Sequence, residues 1–483
     1  MGGPRAPPYP LTRGGGPDAE VGGPDAGVGG PGASKTSLRY NGGPMSHADP
    51  LAHRAAVVAA DKRFLWHPYT PMTRYLDEVD PLVIDRAEGA RLFDLDGRSY
   101  LDANSSWYVA TLGHGHPRLV AALAAQAARL CHTSLAGVTH EPAARLAEEL
   151  VAVAPPGLER VFFSDDGSTA VEVALKLALQ FHRQEGRPAR TRFVALDGAY
   201  HGDTLGAAAL GGAEIFRRPF ASVMLDCIHV PTPADEGSFA QAFAALETVV
   251  AEGRDEIAAV VLEPLLQGTA GMRVYDAEYL RRARATCDAH GVLLILDEVF
   301  TGYGRTGPMW AADQAGVRPD LLCLAKGFSG GMLPMAATLA TPRIFDAFLG
   351  APDRAFYYGH SYCGNPLGAA VAREVLAIYR DERILERAAP KAARIKAAFA
   401  GFGALPGVTR TRSLGMTGAL DLDAQGGYLG RTGWRVYEEA RRRGAYLRPL
   451  GDVVYVAPPL NIPDADLDEL LDIVGASVRA VAP

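Results

Sequence analysis

The chain has 483 residues, 48% of them apolar and 21% charged, with 48 Lys and Arg against 55 Asp and Glu. Such a length suits two or three packed units, and the composition excludes a wholly disordered or fibrous chain. The net charge of -7 excludes a basic nucleic-acid footprint, and no apolar run reaches the ~18–20 residues of a membrane helix. In chain order, residues 1–44 come first, with 13 Gly, 8 Pro and the pentamer Gly-Gly-Pro-Asp-Ala at 15–19 and again at 22–26. They carry too little apolar side chain to offset the entropy of ordering, so they read as a disordered tail. They also lack the apolar core of a signal peptide and the basic pattern of a transit peptide.

From residue 115 to about 345, apolar runs of strand length alternate with segments of helical period. Val161–Ser164, Phe193–Leu196, Ala258–Leu262, Val292–Leu296 and Leu321–Leu324 read as strands buried on both faces. Thr169–Phe181 and Ala277–His290 read as amphipathic helices between them. The alternation predicts an α/β fold with a mostly parallel central sheet. After Asn365 the pattern turns helical over 365–400, then mixed. The expected organisation is therefore a large domain over 115–370 and a smaller α+β domain over 371–483. The segment 45–114 is expected to pack with the smaller one. Five singly spaced cysteines (Cys131, Cys227, Cys287, Cys323, Cys363) argue for a reducing, cytoplasmic setting rather than a disulfide scaffold or zinc site.

In an open α/β sheet, ligands sit outside the carboxyl ends of the strands. Val292–Leu296 runs into Asp297-Glu298, and Leu321–Leu324 runs into Ala325-Lys326. A carboxylate and an amine thus end two nearby strands. A structural ion pair would satisfy those two residues alone. A third element weighs against it. Arg160–Ser164 passes through Asp165-Asp-Gly-Ser168 into a helix, which offers free N–H donors and a positive dipole end to one phosphate. The spacing fits neither a dinucleotide nor a nucleoside triphosphate motif. One phosphate, one lysine and one aspartate at strand ends are what pyridoxal 5'-phosphate needs: the lysine for a Schiff base, the aspartate for the pyridinium nitrogen.

The segment Asp297-Glu-Val-Phe-Thr-Gly-Tyr-Gly-Arg-Thr-Gly307, followed by Leu324-Ala-Lys-Gly327, resembles the class III, fold type I, pyridoxal-phosphate-dependent aminotransferases. The blocks Trp66-His-Pro-Tyr-Thr70, Ser105-Ser-Trp107, Leu112-Gly-His-Gly-His-Pro117, Ala199-Tyr-His-Gly-Asp203 and Gly271-Met-Arg273 sharpen the likeness. Together they resemble the 7,8-diaminopelargonic acid aminotransferases of biotin synthesis, which aminate 8-amino-7-oxononanoate, usually from S-adenosylmethionine. The resemblance implies a catalytic Lys326 and Asp297. It implies cofactor contacts from Gly167, Ser168, Tyr200, His360 and Ser361. It places substrate contacts at Tyr69, Trp107, Tyr200, Gly359 and Arg448. The spacing of His114, His116, His140 and His201 matches no metal-ligand motif, so no metal is expected. The resemblance further implies a homodimer in which the Tyr357–Ser361 loop reaches the second subunit's site. Glu263 corresponds to a residue near the cofactor face, and Arg305 reads as structural. Three features depart from the pattern, one being Asp166, a second carboxylate beside the phosphate turn that is expected to point away from the anion. Tyr108 replaces a second Trp, and His360-Ser-Tyr362 replaces Pro-Thr-Phe. The latter loop type accompanies lysine as donor in some relatives, so lysine stands as the alternative donor, and another ω-amino acid aminotransferase as the alternative enzyme.

Overall fold

The structure is a computed structural model describing residues 50–235, 237–424 and 426–481. The tail expected over 1–44 lies outside the described residues. Residues from Pro50 onward cluster as one unit by contact. Near its start, β1 (Ile84–Glu88), β2 (Arg91–Asp94) and β3 (Ser99–Asp102) form an antiparallel meander. Seven strands then make the central sheet. They are β4 (Arg160–Ser164), β5 (Arg192–Leu196), β6 (Cys227–Val230), β7 (Ile257–Leu262), β10 (Leu293–Asp297), β11 (Leu321–Leu324) and β12 (Ala336–Ala340), ordered β4-β12-β11-β10-β7-β5-β6. A short hairpin, β8 (Leu266–Gln267) with β9 (Arg273–Val274), follows β7.

Every residue of β7, β10 and β11 is buried, as continuous aliphatic runs require when both sheet faces are covered. The helix Gly167–Gln184 covers one face with Ala170, Val171, Ala174, Leu177, Ala178 and Phe181 at helical spacing. The helix Ala277–His290 stops at Gly291, whose φ of 61° is the left-handed cap that glycine adopts at least cost. Two strands, β6 and β12, carry no distinctive sequence signal. β12 also departs from the parallel pattern, pairing antiparallel with both β11 and β4. Its connection from β11 holds only the 3-10 turn Lys326–Ser329. Without a crossover helix the chain must return antiparallel.

Beyond the helices Pro366–Asp381 and Ile384–Phe402, β13 (Val408–Leu414), β14 (Thr417–Leu422) and β16 (Val453–Val456) form a second antiparallel sheet. The intervening β15 (Ala445–Tyr446) joins β3 in parallel, so the C-terminal part completes the N-terminal sheet. Among the described residues no helix is long and apolar enough to cross a membrane.

Candidate active site

The carboxyl ends of β4, β7, β10 and β11 open onto a cavity of about 480 Å³ lined by Gly167, Ser168, Tyr200, Glu263, Asp297 and Lys326. Asp297 closes β10 and is buried. Its Oδ1 accepts from Val299 N at 3.0 Å, and its Oδ2 contacts His201 Nδ1 at 2.8 Å. Burial opposes a charge on His201, but the bond to Asp297 and that carboxylate's charge outweigh it and raise the imidazole's pKa. Next to it, Glu263 accepts from Tyr200 N at 3.0 Å and Gly268 N at 2.9 Å. Burial pushes its carboxyl up to about 7, aided by Asp297 and opposed by His201.

Lys326 follows β11 at a φ of 49°, a left-handed conformation uncommon for a side chain of its kind. Its Nζ lies 5.2 Å from the centre of the Tyr108 ring and 5.5 Å from that of Phe300. Among the described residues no carboxylate forms an ion pair with it. Burial lowers its pKa, with Asp297 and Glu263 opposing. An amine so placed is more readily available as a free base.

At the other end of the cavity the helix Gly167–Gln184 begins. The first N–H groups of a helix have no intrahelical acceptor and favour an anion. A side chain at Gly167 would meet Val299 Cγ1 at 2.7 Å, so glycine is required there. Ser168 Oγ accepts from Asp203 N at 3.2 Å, which leaves its own proton to donate. Asp166 lines the same cavity, and its Oδ1 accepts from Thr169 N at 2.9 Å, which takes up that donor and leaves the N–H groups of Gly167 and Ser168 for an anion. Together the donor set, the unpaired amine and the carboxylate fit a flat cofactor with one phosphate.

The cavity opens at Tyr108, Tyr200 and Lys326 into a larger groove of about 1580 Å³. Its wall comes from distant parts of the chain. Arg448 stacks its guanidinium 4.3 Å over the Trp107 ring. No carboxylate among the described residues forms an ion pair with Arg448. The rings of Tyr69 and Trp107 meet edge to face at 5.4 Å. Tyr69 Oη also lies 2.8 Å from Tyr200 Oη, and both hydroxyls donate toward Asp203. Trp107 is 38% exposed, so it is a groove wall rather than core.

The backbone under that wall is strained. Ser105, Ser106, Trp107 and Tyr108 have φ of 52°, 47°, 70° and 72°, a left-handed turn of four side-chain-bearing residues. Each costs about 1–2 kcal/mol relative to the right-handed form. Compensation comes from Ser105 Oγ donating to Ala457 O at 2.7 Å and Tyr108 Oη to Tyr455 Oη at 2.6 Å. Arg305, fully buried, donates to Pro458 O at 2.8 Å and Ser105 Oγ at 3.3 Å.

Thus Gly167, Ser168, Tyr200, Asp297 and Lys326 share the cavity, while Tyr69, Trp107 and Arg448 share the groove. Gly359, His360 and Ser361 line neither. His360 Nε2 lies instead 3.3 Å from Asp165, and Tyr357 on the same loop is 80% exposed. Sequence reasoning gave His201 and Asp203 no role at the site. Their signal was their place directly after Tyr200 in Tyr-His-Gly-Asp.

The family model described as aminotransferase class-III matches residues 75–478. The adenosylmethionine-8-amino-7-oxononanoate aminotransferase of Nitratidesulfovibrio vulgaris is 43% identical, over 88% of this chain and 82% of its own. The crystal structure of the enzyme of that name from Methanocaldococcus jannaschii superposes with a TM-score of 0.85 at 34% identity, covering 89% of this chain and 99% of that one. An amine transaminase from an uncultivated Pseudomonas species, in its PLP-bound form, gives 0.82 at 33% identity, over 87% and 99%.

Proposed function

The chain belongs to the class III aminotransferases, and from that premise we propose that it aminates 8-amino-7-oxononanoate to 7,8-diaminononanoate, with S-adenosylmethionine as donor. The observation that carries the substrate reading is Arg448: a guanidinium without a carboxylate partner, stacked on Trp107, in the groove that leads to Lys326. A planar fork of donors suits a carboxylate, and aromatic walls suit the aliphatic chain that bears it.

Pyridoxal 5'-phosphate is the cofactor; when bound, it supplies an aldehyde that takes up the amino group and a ring that accepts an electron pair. Gly167 and Ser168 would hold its phosphate through backbone N–H groups and the serine hydroxyl. Asp297, kept in place by His201 and Val299 N, would hold a proton on the ring nitrogen. Tyr200 supplies a flat wall. Lys326 Nζ would be the attachment point and then the base. It takes a proton from the amine-bearing carbon of the donor and later delivers one to C7 of the acceptor. Burial lowers its pKa, which favours the free amine that this exchange needs. Arg448, Trp107 and Tyr69 orient the acceptor and exclude water from its chain.

The active unit in this reading is a homodimer. Its support is the Tyr357–Ser361 loop, which resembles a cofactor-contacting loop in sequence yet lines neither the cavity nor the groove of its own chain. The expected compartment is the cytoplasm. The His360-Ser-Tyr362 sequence favours a second donor reading, lysine. Holoenzyme is incubated with 8-amino-7-oxononanoate and either S-adenosylmethionine or lysine, and the diamine is followed by mass spectrometry. Product with the first donor supports the proposal. Product only with lysine changes the donor, and no product with any donor overturns the acceptor.

A further inference from the structure

Asp102 ends β3 and is wholly buried. Its Oδ2 accepts from the Ser106 hydroxyl at 2.8 Å and meets His114 Nε2 at 2.9 Å. Ser106 Oγ and His114 Nε2 are 3.4 Å apart, so three groups converge at one oxygen. A serine, a histidine and an aspartate in contact suggest a nucleophile. The geometry excludes it. Serine and carboxylate share one ring nitrogen here, whereas a relay needs the carboxylate on the opposite one. Ser106 also lines neither the cavity nor the groove.

The trio holds backbone instead. Ser106 is the second of the four residues of the left-handed turn, and the next two side chains are Trp107 and Tyr108. A turn in this conformation relaxes unless its surroundings over-determine it. Asp102 supplies that constraint from a fixed strand end. The same strand end sets the other side of the contact. Asp102 pairs across the sheet with Tyr446, Ala103 N donates to Tyr446 O at 3.1 Å, and Arg448 stands two residues further on. One strand pair therefore registers both Trp107 and the guanidinium stacked on it.

We propose that Asp102, Ser106 and His114 are positioning residues that hold Trp107 over Arg448, and so set how tightly the groove holds the chain and carboxylate of the acceptor. The identity of the acceptor rests on the function proposed above; the anchor itself does not. His114 contributes an Nε2–H to the shared oxygen, since a carboxylate oxygen only accepts.

The test uses holoenzyme carrying Ser106→Ala, His114→Phe or His114→Gln, the last keeping an N–H donor at the same reach. The first two variants raise KM for 8-amino-7-oxononanoate about tenfold and leave kcat within about twofold. The visible band of the bound cofactor is unchanged, and His114→Gln recovers most of the loss. A second readout needs no substrate. With Trp66 and Trp434 replaced by Phe, and Trp310 buried, acrylamide quenching reports Trp107, which becomes more accessible in Ser106→Ala and His114→Phe. Unchanged KM and unchanged quenching overturn the proposal. So does a joint fall of kcat, cofactor band and melting temperature, which marks a merely structural role. If the wild type does not use the acceptor, the substrate reading fails by itself, and quenching still decides the anchor.

Discussion

The inner cavity and the outer groove meet at Lys326 but are built by opposite means. The cavity takes its groups from the ends of strands of the central sheet, and its two buried carboxylates have partners: Asp297 with His201 and Val299 N, Glu263 with Tyr200 N and Gly268 N. The groove takes its groups from residues 69, 107, 428 and 448, with a strained turn beneath and aromatic faces left exposed. The difference teaches where chemistry and selectivity reside. A preorganised, satisfied interior fixes reacting groups, whereas an open aromatic wall can be altered without disturbing them.

The sharpest way to break this division is at its inner side. Lys326→Ala should lower transamination by about 10⁴-fold or more while the chain stays folded, because it removes both attachment point and base. Comparable activity in that variant, measured by diamine formation, would end the account of the cavity. At the outer side, Trp107→Ala should act on binding. Loss of the ring under Arg448 is worth about 0.5–2 kcal/mol, a rise in acceptor KM of about twofold to thirtyfold with kcat retained.

The smallest effect concerns the residue that follows Asp297. Glu298 is buried and accepts from Ala311 N at 2.7 Å and Ala312 N at 2.8 Å. Burial pushes its carboxyl up to about 8 from an ordinary 4.5, against the opposing pull of those N–H groups. Between those values the folded chain binds a proton that the unfolded chain releases, so this group's contribution to stability falls as pH rises. Glu298→Gln removes that slope. Urea midpoints at about pH 5 and about pH 8 should differ less in the variant than in the wild type. An equal difference in both would mean the carboxyl ionises normally.

The same contrast governs what the sequence reveals. Asp297 and Lys326 were legible because each follows an aliphatic run that can only be a buried strand, and strand ends face the ligand. Gly167 and Ser168 were legible because a strand, a glycine turn and a helix start follow one another without a gap. Strand β12 escaped because Ala336–Ala340 is nearly featureless, and its direction depends on the absence of a crossover helix. The groove could not be built from local pattern at all. Tyr69, Trp107 and Arg448 came from resemblance. The left-handed turn that aims Trp107 rests on partners hundreds of residues away, such as Ala457 and Tyr455. His201 was visible in the Tyr-His-Gly-Asp block, but its bond to Asp297 is a product of the fold.

Arg448→Ala tests the division most directly, because it removes the groove's proposed carboxylate donor and touches nothing in the cavity. On purified holoenzyme, the visible spectrum of the bound cofactor and the kinetics with 8-amino-7-oxononanoate are measured together. The account predicts an unchanged spectrum, kcat within about threefold and KM raised about 100-fold, in line with losing hydrogen bonds to a charged group. An altered spectrum, or a fall in kcat at unchanged KM, would contradict it and place Arg448 with the reacting groups.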